Sequence, residues 1–472
     1  MKKFYITTPI YYVNDKPHIG HAYTTIAADV IARYHKLKEE EVFFLTGVDE
    51  HGTKVAESAK KQDRNPQEFC NRISQRFKDT WERLNISNND FIRTTDERHI
   101  KGVEKFLKEL RRRGLIYKGE YRGLYCTGCE KFITEKELVN GECPIHQKRP
   151  EVVSEKNYFF KLSKYLDKVQ KLIQNDEIEI LPKERKNETL GLIKQGLEDF
   201  SISREKVKWG IKLPWDKKQT VYVWVDALLN YITALDYGND QKKFRRFWPA
   251  DLQLLGKDIL KFHAIYWPAL LLALNIKPPK KLFVHGYFTI SGQKMSKSLG
   301  NIITPEEMIE KFGVDGTRYL LISTTTFGQD ADVCWEWFKE KYNADLANGI
   351  GNLVARVSNI LEKDNIEVNI TVGSDKGLKN KIDKKMQQYR FDEALEILWQ
   401  VLRKSDKSLS NKKPWELDDV EKKRKVLEHI SQNVLNVAEL LQPFLPETAG
   451  KIVKQFSKKQ VKKGKALFPR IK

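Results

Sequence analysis

Cysteine is scarce in this chain, long apolar runs are missing, and acidic residues fall well short of basic ones. Five cysteines in 472 residues, an odd number, argue against a disulfide framework and for a reducing compartment. The richest apolar stretch, WPALLLALNI, is far too short to span a bilayer. The amino end, MKKFYITTPIYYVND, lacks an apolar block followed by a small-residue cleavage site, so it does not read as a secretory signal. There is no internal repeat, and no low-complexity tract beyond a lysine-rich tail. Secreted and membrane-spanning classes are thereby set aside. What is present is a chain long enough to bury its own core, at roughly 150 residues per domain about three domains. Apolar residues at 40% and charged residues at 31% suit a globular protein. Lys and Arg outnumber Asp and Glu by 84 to 64, a net charge of +20. So large an excess points to a polyanionic partner: nucleic acid first, an anionic membrane surface second, with a solvated surface as the plain alternative. The expectation is a cytoplasmic protein that handles nucleic acid.

Strand and helix signals alternate from the start. KFYITTP (3–9) reads as a buried strand, and an apolar-periodic helix follows over 19–36. VFFLTGVDEHGT (42–53) reads as a second strand, with helical segments after it. Further strand signals lie at TVYVWVDAL (220–228), LQLLGKD (252–258) and KLFVHGYF (281–288). This alternation predicts a doubly wound parallel sheet, a Rossmann-like α/β domain. Between its halves, residues 115–150 form short strand-like pieces that carry four potential metal ligands, which suggests an inserted small domain. From about residue 343 the pattern is helix after helix, an α-helical bundle.

Two polar motifs sit where such a sheet binds phosphate, beyond the carboxyl ends of its strands. His18-Ile19-Gly20-His21 opens the first helix, whose unpaired N–H groups and partial positive charge favour phosphate. Two imidazoles there can donate to a triphosphate, and Gly20 leaves room for a purine. Lys294-Met295-Ser296-Lys297-Ser298 lies in a glycine-flanked segment after the last strand. Its two lysines can neutralise charge developing on departing pyrophosphate. The metal candidates are Cys126-Thr-Gly-Cys129 and Cys143-Pro-Ile-His146. Each half has the two-residue spacing of a tight metal-binding turn, and Cys3His is a closed tetrahedral zinc set. No position is left for water, so the zinc is read as structural. Cys70 and Cys334 have no partner motif and read as ordinary buried thiols.

The two polar motifs together resemble the signature of class I aminoacyl-tRNA synthetases. TPIYYVNDKPHIGHAYTTIAADVIARY, GVDEHGTK, YVWVDALLNYI, GKDILKFHAIYWPALL and GQKMSKSLGN narrow the resemblance to the methionine-specific enzymes, from Lys3 to about Pro446. The resemblance implies ATP-dependent activation of methionine to methionyl-adenylate plus pyrophosphate, then transfer to the 3′-terminal adenosine of tRNA(Met), read through its CAU anticodon. It implies that Asp49 holds the ammonium group of the amino acid, and that Ile10, Tyr12, Trp224, Ala227, Leu228, Tyr231 and His263 surround the thioether. A polarizable sulfur packs well against such aromatic edges. Leu228 departs from a proline found in some relatives. Asp258 matches a ribose ligand of ATP, and Mg²⁺ would accompany the phosphates. On the helical domain, Asn352 and Arg356 are four apart and so share one face. With Trp415 they match the family's anticodon-reading set, an aromatic platform plus polar groups for base edges.

The implied division is a catalytic α/β domain in two parts (1–114 and 216–300), an inserted connective domain with the zinc knuckle (115–215), a stem-contact connector (301–345) and an anticodon-binding helical domain with a basic tail (346–472). The tail from Thr448 carries nine basic residues and no acidic one. It either lies along an RNA backbone or is a solvated helix and frayed end. The enzyme is expected to work as a monomer, or with a separate β-barrel tRNA-binding subunit. Three alternatives remain: a class I ligase for another amino acid, a catalytically dead RNA-binding relative, and a small nucleotidyltransferase. The insertion is too short for the editing domain that isoleucine, valine and leucine enzymes carry. A cysteine enzyme would put its metal at the substrate. A mere RNA binder would need neither both histidines nor both loop lysines.

Overall fold

The computed structural model describes residues 1–144, 147–295, 300–373 and 375–472, with the backbone alone at 136 and 294. The chain forms two compact units. The first holds Met1–Pro17, Glu40–Asp79 and Asn88–His285; the second holds His18–Glu39, Thr80–Ser87 and Gly286–Lys472. No described helix is long and apolar enough to cross a membrane.

The first unit is built on six strands: β1 (Lys3–Tyr12), β2 (Glu41–Asp49), β3 (Asp90–Arg93), β4 (Glu179–Leu181), β5 (Leu252–Gly256) and β6 (Lys281–His285). Their order is β3-β2-β1-β5-β6-β4, and every pairing is parallel. The central strands are buried along almost their whole length, which is why they read as apolar runs without alternation. Strand order reverses between β1 and β5, the switch point at which open parallel sheets bind ligands. At that edge, register sets Tyr12 directly beside Asp49. The second strand stops at Asp49, four residues before the expected end, because Gly52 takes φ +105° and starts the helix Thr53–Lys60.

Two readings of the sequence are corrected here. The stretch 220–228, expected as one strand, is a strand to Val221 and then a helix, Val223–Leu228. An apolar run of that length buried on all sides has no period that separates strand from helix. The segment 115–215, expected as a separate insert, contributes β4 to the edge of the main sheet, paired with β6 over Lys281↔Glu179 to Phe283↔Leu181. Three residues are too short a strand for an alternation pattern to reveal. The rest of that segment includes a long antiparallel ribbon, Ile116–Cys126 against Glu151–Phe160, and a small knuckle whose core is Cys126, Ile133 and Cys143.

The second unit is mainly helical. Ile19–Leu37 and Pro305–Ile322 are joined through Arg318, which is fully buried. Its guanidinium donates to Asp29 Oδ2 at 2.7 Å and to the carbonyls of Leu84, Pro443 and Phe444. Paired and hydrogen-bonded on every side, the charge is tolerated at that depth. The helical pattern expected from about residue 343 opens irregularly: Tyr342–Gly351 winds as a wide π-type turn broken at Gly349, and a regular helix runs over Asn352–Lys363. Three long helices follow, Lys376–Gln387, Phe391–Lys412 and Val420–Leu441, then the shorter Pro446–Phe456. The tail is pinned, against the frayed end offered for it. Val461 and Phe468 are buried, Phe468 meets Tyr342 edge to face at 5.9 Å, and the Ile471 backbone bonds the Asn343 side chain. Its nine basic side chains are all exposed.

Candidate active site

In the second unit, the His18–His21 motif caps the first helix. His18 is the N-cap residue in extended conformation, and its Nδ1 accepts from the Gly20 N–H at 3.1 Å. His21 Nδ1 accepts in return from the His18 N–H at 3.3 Å, a reciprocal capping box made by two imidazoles. The rings stack with centroids 3.8 Å apart. Because Nδ1 is the acceptor in each ring, a neutral ring carries its proton on Nε2, the arrangement needed to donate to an anion. Burial, and then the neighbouring His18, hold His21 well below the usual histidine range. Gly20 leaves the capping ring in place: a Cβ there would lie 2.9 Å from His18 Cε1, displacing the imidazole, and 3.6 Å from Met295 Cε. The second of these contacts brings the lysine-rich segment to the same helix end. Gln293–Lys294 pairs with Phe288–Ile290, and Asp332 Oδ1 accepts from the Gly292 N–H and the Thr289 hydroxyl, both at 2.7 Å. Lys297 lies outside the described residues, and so does the side chain of Lys294.

In the first unit, Ile10 and Tyr12, expected to line the amino-acid pocket, lie on β1, and Asp49 ends β2. Asp49 is 7% exposed, its Oδ1 accepts from the His51 N–H at 3.3 Å, and among the described residues no basic side chain pairs with it. Burial, then Asp226 and Glu130, push its carboxyl well above the ordinary range. A ligand cation would reverse that shift, because an opposite charge restores the ionised form. Beside it the Tyr12 hydroxyl donates to Glu130 Oε2 at 2.5 Å, and burial reinforced by that carboxylate keeps the phenol protonated. Trp224, Ala227 and Leu228 share the helix Val223–Leu228, and the Trp224 indole stacks on Phe262 at 4.2 Å. Tyr231 and His263 are bonded to each other, Tyr231 Oη to His263 Nε2 at 2.8 Å. His263 Nδ1 lies 3.0 Å from the Ile259 carbonyl, which can only accept, so Nδ1 carries the proton and Nε2 receives that of Tyr231. Burial lowers His263 to about 4, so the pair is neutral at physiological pH. Ile10 is half-buried near the end of β1, and Asp258 is exposed on the turn Lys257–Ile259 after β5.

Sequence reasoning overlooked a buried triad in this unit. Asp226 accepts from His51 Nδ1 at 2.6 Å and His99 Nε2 at 2.8 Å, while His99 Nδ1 meets the Thr233 hydroxyl at 2.8 Å. Against its burial, the two histidines hold Asp226 down to about 2. His51 and Asp226 both stood inside the motifs GVDEHGTK and YVWVDALLNYI without a role. An aspartate within an apolar run was the available signal, since a buried carboxylate needs partners.

The knuckle brings together Cys126, Cys129 and Cys143, whose Sγ atoms all lie within 4.8 Å of one another, with 3.5 Å between Cys129 and Cys143. Thiolates on one tetrahedral zinc stand about 3.8 Å apart, from Zn–S bonds near 2.3 Å, so the cluster fits a metal. His146 lies outside the described residues. Of the remaining cysteines, Cys70 is buried as expected, whereas Cys334 is partly exposed at the start of the helix Trp335–Lys341. In the helical bundle Asn352 and Arg356 occupy the helix Asn352–Lys363. The Arg356 guanidinium lies 5.8 Å from the ring of Trp415, which is 46% exposed, and pairs with Asp406 at 2.7 Å.

The family model described as tRNA synthetases class I (M) matches residues 4–149 and 134–358. A methionine–tRNA ligase of Caldanaerobacter subterraneus subsp. tengcongensis is 41% identical over 100% of this chain and 79% of its own. That of Thermotoga maritima is 42% identical over 96% of this chain and 75% of its own. The chain belongs to the methionyl-tRNA synthetase family. A solved Mycobacterium tuberculosis methionyl-tRNA synthetase in complex with methionyl-adenylate superposes with a TM-score of 0.91 at 38% identity, covering 96% of this chain and 94% of that one. The methionyl-tRNA synthetase fold thus extends over the parallel sheet, the knuckle segment and the helical bundle alike.

Proposed function

We propose that this chain activates methionine with ATP and charges tRNA(Met), through the residues described above. Family membership supports the reaction. The single observation that carries the substrate assignment is Asp49, a buried carboxylate without a basic partner among the described residues, beside the aromatic Tyr12. Asp49 receives the methionine ammonium group. Ile10, Tyr12, Trp224, Ala227, Leu228, Tyr231 and His263 enclose the thioether, and the neutral Tyr231–His263 pair adds no charge to repel it. His18 and His21 donate from Nε2 to the ATP phosphates, Gly20 admits the purine, and Asp258 binds the ribose.

The methionine carboxylate then attacks the α-phosphorus in line, and pyrophosphate leaves. No side chain forms a covalent bond, so the chain contributes positioning and charge. Lys294 and Lys297 stabilise the charge that develops on pyrophosphate, and Mg²⁺ accompanies ATP. In the second step the terminal adenosine 2′-hydroxyl attacks the methionyl carbonyl carbon of the adenylate, forming the ester as the anhydride bond breaks and AMP and the hydroxyl proton leave. Asn352, Arg356 and Trp415 read the CAU anticodon, and the exposed basic tail lies along RNA backbone. Cys126, Cys129, Cys143 and His146 hold one structural zinc, which cross-links the knuckle. The catalytic part comprises 1–114 and 216–300 together with the edge strand β4 that the segment 115–215 adds to the sheet. The protein acts in the cytoplasm, alone or with a separate β-barrel tRNA-binding subunit. A panel of amino acids in ATP–pyrophosphate exchange tests the reading: methionine alone should support exchange, and exchange with isoleucine, valine or cysteine but not methionine would overturn it.

A further inference from the structure

Glu130 follows a cluster cysteine directly, and its backbone is left-handed at φ +48° although it is not glycine. The side chain is 4% exposed, and both carboxylate oxygens are used. Oε2 accepts the Tyr12 hydroxyl, and Oε1 accepts the Lys54 N–H at 2.8 Å. Lys54 is in the first turn of the helix Thr53–Lys60, whose N-cap, Gly52, has no side chain to cap it. Glu130 supplies that cap from a distant part of the chain. A Cβ on Gly52 would strike both Glu130 Oε2 and the Tyr12 hydroxyl, so this junction requires glycine. The same short segment is tied through its backbone to the start of the helix Val223–Leu228. The Glu130 carbonyl accepts the Tyr222 hydroxyl at 2.9 Å, and the Cys129 carbonyl accepts the Trp224 indole N–H at 3.3 Å.

We infer that Glu130 is a positioning residue for amino-acid binding, locking the Cys126–Cys129 turn onto Tyr12, the Asp49–Gly52 bend and Trp224 at once. The inference rests on the assignment of Tyr12, Asp49 and Trp224 to the methionine pocket. Glu130 touches no substrate. Its carboxylate orients the Tyr12 ring and anchors the helix after Asp49, while its own carbonyl holds Tyr222 and that of the preceding Cys129 holds Trp224. Without it a buried phenol hydroxyl and a helix N-terminal N–H both lose their acceptor.

The test is Glu130→Ala in the full chain, with metal content measured and methionine binding followed by titration calorimetry beside the KM values for methionine and ATP in pyrophosphate exchange. The expected result is unchanged metal content, a methionine Kd and KM raised about tenfold, and an ATP KM within about twofold of the parent. Adding Tyr12→Phe should cost little more, because both changes break one hydrogen bond. Should the alanine variant fail to fold, Glu130→Gln decides: one acceptor oxygen remains, and methionine Kd should rise about threefold. Methionine binding equal to the parent in both variants overturns the inference, as does an equal rise in the ATP KM. A parent protein that binds no methionine overturns the pocket assignment instead.

Discussion

Replacing Gly20 with alanine separates the stability of the His18–His21 cap from its role with ATP. The added Cβ would sit 2.9 Å from His18 Cε1 and 3.0 Å from His18 Nδ1, closer than side-chain atoms pack. The imidazole must swing away, and its bond to the Gly20 N–H is lost. Losing a side-chain N-cap costs about 1 kcal/mol. Alanine inside a helix returns up to about 1 kcal/mol relative to glycine. The two effects oppose each other, so the fold should keep its stability to within about 1 kcal/mol. Catalysis has no such compensation. A donor aimed at charge developing on phosphate is worth about 2.7–4 kcal/mol, a factor of about 10² to 10³ in rate. Methionine-dependent pyrophosphate exchange by the variant should therefore fall about a hundredfold or more while thermal unfolding barely moves. Exchange at the parental rate in a folded variant would refute a role for the His18 ring orientation in handling phosphate.

Three further perturbations probe the other parts of the chain. Asp49, held well above the ordinary carboxylate range first by burial and then by Asp226 and Glu130, must ionise to receive an ammonium ion. Methionine affinity should thus strengthen as pH rises through the raised Asp49 pKa, with net proton release on binding; calorimetry in buffers of different ionisation enthalpy reads this, and proton uptake would contradict it. The sign for folding is opposite, since a raised carboxyl binds more protons in the native state and loses stability as pH rises through its pKa. Chelation should remove one zinc per chain and extend thiol-reagent labelling from the partly exposed Cys334 to Cys126, Cys129 and Cys143, leaving buried Cys70 silent. A folded protein whose three cluster thiols react without chelation would exclude a bound metal. Trp415→Ala should raise the tRNA KM in aminoacylation roughly 5- to 100-fold by loss of one stacked base, with pyrophosphate exchange unchanged; a change in methionine KM instead would move the anticodon assignment elsewhere.

Long-period features of the fold were legible in the sequence and short ones were not. The helix at 19–37 and the strands β1, β5 and β6 were visible because each is a sustained apolar pattern closed by polar or glycine punctuation. The strand β4 was invisible because three residues carry no period, and its place at the sheet edge is set by backbone pairing with β6. The switch from strand to helix at Tyr222 was hidden for a different reason. TVYVWVDAL is mostly apolar, since both the strand end and the helix are largely buried, and only regular alternation with polar residues would have told them apart. The pinned tail escaped notice because its anchors, Val461 and Phe468, are single apolar residues among exposed lysines.

The candidate site divides along the same line. Residues proposed to meet a ligand belong to short polar motifs, and their chemistry draws notice to an imidazole pair at a helix start or paired Cys-x-x-Cys and Cys-x-x-His turns. Residues that hold those groups in position have no such mark. Glu130, His51, His99 and Asp226 are charged or polar side chains between 0% and 5% exposed, and each is defined by partners tens to more than a hundred residues away. A sequence can show that a buried carboxylate in an apolar run requires a partner. It cannot say that Asp226 finds two histidines or that Glu130 finds a phenol and a helix end, because those choices exist only after the sheet has closed. The supporting layer is also where substitutions act at a distance: a group without substrate contact can still govern affinity when a ring proposed to face the substrate, such as Tyr12, has its hydroxyl bonded to that group.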